Sequence, residues 1–137
     1  MSKMSRKCVP FTPFEGRLED SMVALVSNAG IYGRGQEPFD LAGDTNLRII
    51  PGDARAEDLS IAHAHYDHSD ADLDINCVFP IDRLRELAED GAVKGLADRH
   101  IGLGWSLDLK EIYEGTAPKV ADLIERSDAD LVLLTGG

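Results

Sequence analysis

Basic residues, cysteines and long apolar runs are scarce in this chain, and each scarcity argues against a class of function. Lys and Arg number 14 against 25 Asp and Glu, a formal net charge of −11. That balance argues against nucleic acid and anionic membrane as partners, since both are bound through basic patches. No apolar run approaches the roughly 18 residues a membrane span needs. The start, Met-Ser-Lys-Met-Ser-Arg-Lys, leads into Cys-Val-Pro-Phe-Thr-Pro-Phe with no apolar signal core. A cytoplasmic location is expected. The two cysteines, Cys8 and Cys77, form no C-x-x-C motif and no disulfide framework. Each is expected as a buried structural residue.

What is present suits one folded domain. A chain of 137 residues with 43% apolar composition can bury a real core. Residues 1–20 carry Pro10, Pro13 and several charges and read as an N-terminal arm. Residues 21–137 read as a single α/β domain. Met22–Ser27 and Leu131–Thr135 are continuous apolar runs of strand length, the pattern of strands buried on both faces. Arg48–Ile50 and Leu59–Ala62 are shorter strand candidates. Pro80 opens a helical stretch that Gly91 closes, with Ile81, Leu84, Leu87 and Ala88 on one face. Thr116 is placed to cap a second helix, with Pro118 in its first turn and Val120, Leu123 and Ile124 as its buried stripe. Apolar strands interleaved with amphipathic helices predict a layered, Rossmann-like α/β fold with a mainly parallel sheet. Two good helices are few for about four strands. Either another chain covers the sheet, or further C-terminal elements belong to it.

Ligands of such sheets bind where strands exit at their carboxyl ends. Three exits qualify: Asn28-Ala29-Gly30, the segment from His63, and Thr135-Gly136-Gly137. The Gly30, Gly33, Gly35 loop lacks the G-x-G-x-x-G spacing of a dinucleotide turn. It reads as a loop with Asn28, Glu37 and Asp40 as its polar candidates. Arg48, flanked by Asp44, can hold a substrate carboxylate or form an ion pair.

The segment from His63 holds three of the four histidines. His63, His65, Asp67 and His68 spell H-x-H-x-D-H, a pattern shared with metallo-β-lactamase-type hydrolases. Imidazoles and carboxylates are good zinc or iron ligands, so these four are the alternative metal set. The later His and Asp of that family have no counterpart, since His100 is the remaining histidine. A non-catalytic binding module is the other alternative.

A longer pattern contains this one. It includes Val26-Ser27-Asn28-Ala29-Gly30-Ile31-Tyr32, Glu37-Pro38-Phe39-Asp40 and Gly43-Asp44-Thr45-Asn46-Leu47-Arg48-Ile49-Ile50-Pro51. It continues through His63–Asp72 into Asp74-Ile75-Asn76-Cys77-Val78-Phe79-Pro80-Ile81-Asp82-Arg83-Leu84, and ends at Ala129–Thr135. With these stretches the chain resembles the selenoprotein B family of glycine, sarcosine, betaine and D-proline reductases.

The resemblance implies reductive cleavage of a C–N bond in an amino acid or an N-methylated derivative. It implies a selenocysteine or cysteine nucleophile just after the strand equivalent to Leu131–Thr135, with a second cysteine close by. Neither Cys8 nor Cys77 matches that position. The expectation is a reading frame ended at a selenocysteine codon, a nucleophile belonging after Gly137, and a chain inactive alone. No metal and no other cofactor are expected. The expected partners are a small amino-acid substrate, a thiol redox partner and a second copy of the chain. His63, His65, Asp67 and His68 are the candidate catalytic residues, and Asn28 and Arg48 the candidate substrate contacts. One of the histidines is expected as general acid toward the leaving amine.

Overall fold

A computed structural model describes residues 13–137. Cys8 and most of the expected arm lie outside the described residues. The central element is β1 (Met22–Ser27), whose residues from Val23 onward are all buried. Two further strands, β2 (Ile31–Gly33) and β4 (Leu59–Ile61), pair antiparallel as a separate ribbon. The main sheet also contains β3 (Leu47–Pro51), β5 (Gly95–Leu96), β6 (Arg99–Leu103) and β7 (Leu131–Thr135). On one side β1 meets β5 through its first residues and β6 through its last; on the other it pairs with β7 from Val23 to Ser27. These three pairings are parallel, whereas β3 runs antiparallel to β6.

The α/β class and the mainly parallel main sheet are therefore as expected, with β3 making the sheet mixed. The Rossmann-like part of the expectation goes further than these elements do, because β3 is antiparallel and helical cover thins toward β7. The strand at 59–61 lies in the ribbon and not in the main sheet.

Alternation along β1 assigns the two faces of the sheet. Val23 and Leu25 point to one face, where they share a core with Ile50, Ile75, Phe79 and, from α2 (Ile81–Glu89), Ile81 and Leu84. The residue preceding α2 is Pro80, and Gly91 follows it in the left-handed region at φ 75°, so both predicted helix signals operate. Ala24 and Val26 point to the other face. There α4 (Ala117–Glu125) lies across the sheet, with Val120 and Ile124 near Val26.

The second helix starts earlier than its sequence signals suggest. The short α3 (Leu109–Glu111), capped by Asp108 accepting from Glu111 N–H at 3.0 Å, runs through a π-helical turn at Ile112–Thr116 into α4. Thr116 is consequently no cap. It is helical itself, buried, and donates through Oγ1 to the Thr45 carbonyl at 2.6 Å. The stripe Val120, Leu123 and Ile124 is only half-buried.

Cys77 is exposed, contrary to its expected burial. It ends a single 3-10 turn, Ile75–Cys77, in which Ile75 enters the core together with Phe79 two residues on. With those two anchored, Cys77 between them faces solvent.

Candidate functional site

The site forms where the carboxyl ends of β1, β6 and β7 meet the segment leaving β4. Gly30 is the joint. Its N–H donates to the Leu103 carbonyl at 3.0 Å, and its carbonyl accepts from Ala62 N–H at 2.9 Å. It sits at φ 76°, and a Cβ there would collide with the Ala62 carbonyl. Only glycine serves both the conformation and the close approach. One residue thus brings His63 to the exits of the main sheet, although β4 is not part of that sheet. Tyr66 fastens the same segment from above, its hydroxyl donating to the Ala29 carbonyl at 3.0 Å. Burial, reinforced by the Asp72 charge, holds the Tyr66 phenol above its ordinary pKa.

The exits of β1 and β7 are tied together underneath. The Val78 carbonyl accepts from Ser27 Oγ at 3.3 Å and from Thr135 Oγ1 at 2.7 Å. Asn28 N–H then donates to the Thr135 carbonyl at 3.3 Å. Gly136 lies beside Asn28 Oδ1, and Gly137 lies against the Tyr66 ring.

Between these exits and the π-helical turn is a cavity of about 290 Å³. Asn28, Asn46, His63, Trp105, Ser106 and Thr116 supply its polar and aromatic lining. Asp44 also reaches it, but its carboxylate is already engaged. Oδ1 accepts from Asn46 N–H at 2.8 Å and from Asn46 Nδ2 at 2.9 Å, while Oδ2 pairs with Arg48 at 3.1 Å. Burial works to raise the Asp44 pKa, and these hydrogen bonds together with the Arg48 charge hold it below the usual value.

The residues singled out in the sequence separate on this geometry. His63 and Asn28 line the cavity. The His63 Nδ1 accepts from His65 N–H at 3.1 Å, which leaves the proton of the neutral ring on Nε2. Burial, with the neighbouring His65 and His68 charges, lowers its pKa, so His63 is a neutral N–H donor at neutral pH. His65 stands at the rim, stacked on Trp105 with ring centroids 3.6 Å apart. His68 turns away and bonds Asp72 at 2.8 Å. Asp67 accepts from Ser69 Oγ at 2.7 Å and from Ser69 N–H at 3.1 Å, which lowers its pKa, and it is exposed outside the cavity. Arg48 is on β3, and its side chain packs against the loop that precedes the strand. It stacks on Phe39 at 4.3 Å and donates to the Glu37 carbonyl at 2.9 Å and the Pro38 carbonyl at 3.3 Å. Among the described residues, no three His, Cys, Asp or Glu side chains converge to hold a metal ion.

Trp105, Asn46 and Thr116 are cavity residues beyond the candidate site residues of the sequence. The signal for Trp105 is its position just past β6, a strand whose short run Arg99–Leu103 lacks the continuous apolar pattern of β1 and β7. Thr116 and Asn46 reach the site only through tertiary packing.

Over 128 residues, 93% of its length, the sequence is 44% identical to the D-proline reductase subunit gamma of Acetoanaerobium sticklandii. The chain is thus similar to a subunit of a D-proline reductase. It is also 29% identical, over 135 residues, to the glycine reductase complex component B subunit gamma of Symbiobacterium thermophilum. The chain spans about half of the first relative's length (53%) and about a third of the second's (31%). No family model matches the sequence, and no solved structure does. Among the described residues, no helix is long and apolar enough to cross a membrane.

Proposed function

We propose that this chain is part of a reductase that cleaves the C–N bond of an amino acid or an N-methylated amino acid. The observation that carries the reading is the 44% identity to a D-proline reductase subunit across nearly the whole chain. The cavity supports it, being of a size for one small substrate. The overall change adds two electrons and two protons, and replaces the C–N bond by a C–H and an N–H bond. The electrons come from a thiol pair that ends as a disulfide.

Among the described residues, no cysteine lines the cavity, and Cys77 belongs to a different surface. On this reading the redox nucleophile is a selenocysteine or cysteine that follows the strand Leu131–Thr135, as the family resemblance implies. That group would supply the attack on the substrate carbon. The rim fits a chain segment arriving there, because Gly136 and Gly137 bring bare backbone against Asn28 and Tyr66. Within the cavity, His63 offers its Nε2–H to a substrate heteroatom, and Trp105 with the π-helical turn excludes water. As a neutral imidazole it donates a hydrogen bond to the leaving amine. Full proton transfer falls to it only when it is protonated.

The test reconstitutes the complete reductase complex and follows thiol oxidation dependent on D-proline, glycine, sarcosine or betaine. One of these substrates is expected to be reduced. His63→Ala should lower kcat/KM by about 10²-fold, while His68→Ala stays near wild type. Full activity in the His63 variant would remove the cavity from the mechanism. Failure with all four substrates would remove the reductase reading. The coding sequence beyond Gly137 tests the position of the nucleophile. An in-frame TGA followed by an open frame encoding cysteine supports the proposal, and any other stop opposes it.

A further inference from the structure

The outer side of β7 combines three features. Among the described residues, β7 has β1 as its one neighbour, so its outer backbone edge is unpaired. Its apolar side chains are exposed on both faces, Val132 at 41%, Leu133 at 39% and Leu134 at 73%. Between α4 and β7 an apolar groove of about 440 Å³ opens, lined by Val26, Leu103, Val120, Ile124, Val132 and Leu134. Unpaired apolar edges are templates for an added strand, and soluble proteins normally cover or charge them.

The direction of the existing crossover says what fits. From β6 the chain passes through α4 over the face of Val26 and Val132, crosses β1 and enters β7. A further parallel strand outside β7 would continue in the same direction. Crossovers keep one hand, so the helix leading to that strand must lie on the same face as α4. That is the face on which the groove is open.

We infer that β7 is an internal strand of the complete subunit. On this reading a helix–strand unit docks here, its helix filling the α4–β7 groove and its strand running parallel to β7. The unit comes from the part of the reductase subunits that this chain does not span, which is about half of the D-proline reductase relative. The inference rests on the family reading of the chain. It also completes the site, because a strand parallel to β7 has its carboxyl end beside Gly136 at the cavity rim.

The experiment co-expresses this chain with the portion of the D-proline reductase gamma subunit outside the matched residues. Light scattering and backbone hydrogen exchange are then measured. A one-to-one complex is expected, with exchange at Leu131–Thr135 slowed by about tenfold or more. A Val132→Glu, Leu134→Glu double variant should weaken that complex by about tenfold or more, while the chain alone keeps its thermal midpoint. If the separate portion is insoluble, the two parts are joined in one polypeptide. The double variant should then lower the midpoint of the joined protein and not that of the chain alone. The inference is overturned by a homodimer through β7 that excludes the added portion, by no association, or by a complex that leaves β7 exchange unchanged. No readout depends on activity. Failure of the complete reductase complex to reduce any of the four substrates counts against the reductase reading and leaves this inference standing, and substrate reduction without β7 protection does the reverse.

Discussion

Strands β1 and β7 are nearly the same in composition and differ in fate. They pair in full register from Val23–Leu131 to Ser27–Thr135. Ala24 and Leu25 are fully buried, yet their partners Val132 and Leu133 are about 40% exposed. An apolar run specifies a strand that can be covered on both faces. Whether it is covered depends on which strands and helices arrive beside it. In β1 the flanks are β5, β6 and β7, with α2 on one face and α4 on the other. In β7 one flank is open, and the groove between α4 and the strand leaves Leu134 exposed.

The strongest way to break this comparison is to truncate both strands alike. Leu25→Ala empties a fully buried position and should cost about 2–5 kcal/mol in urea denaturation. Leu134→Ala, at 73% exposure, should stay within about 0.5 kcal/mol of the parent. Equal costs would mean that β7 is covered in solution.

Acid should weaken the β1 region selectively. His100 lies fully buried on β6, and its Nδ1 accepts from Leu25 N–H at 3.0 Å. Its Nε2 has no hydrogen-bond partner among the described residues. Burial, aided by the Arg85 charge, pushes its pKa down from 6.5 to about 4. A histidine with a lowered folded-state pKa binds its proton more readily when unfolded. Its stabilisation is therefore present above the unfolded value and is lost as pH falls from 6.5 toward 4. The loss is on the order of 3 kcal/mol. His100→Gln keeps an acceptor side chain and removes this titration. Its denaturation midpoint should change less between pH 6.5 and 4 than the parent's, and an unchanged slope would exclude His100 as the source.

A smaller effect separates the site from the core. Tyr66→Phe removes the hydrogen bond to the Ala29 carbonyl and should cost about 1 kcal/mol. Because Tyr66 also packs on His63, with ring centroids 4.7 Å apart, the variant should shift the His63 imidazole resonances in NMR. Unshifted resonances would show that Gly30 alone positions the segment.

Much of this was legible along the chain. The runs 22–27 and 131–135 and the Pro80 and Gly91 helix signals rest on local rules of periodicity and chain conformation, and they hold in the fold. The histidine cluster was legible as a polar strand exit, and its division into one cavity residue and three others was not. His63 enters because Gly30 hydrogen-bonds Leu103 and Ala62 at once, a contact between residues distant in sequence. The Arg48 side chain is drawn from β3 toward the preceding loop by Asp44, Phe39 and two carbonyls, again through geometry that spacing does not encode.

The sequence by itself determined the two long apolar strands, the main helix and their apolar faces, because each depends on residue identity at short spacing. Tertiary structure alone decided that β3 runs antiparallel, that Trp105 and Thr116 meet His63 around one cavity, and that β7 is left at an edge. Those outcomes depend on which backbone groups find partners across the fold, and pairing between distant segments leaves no local mark in the chain.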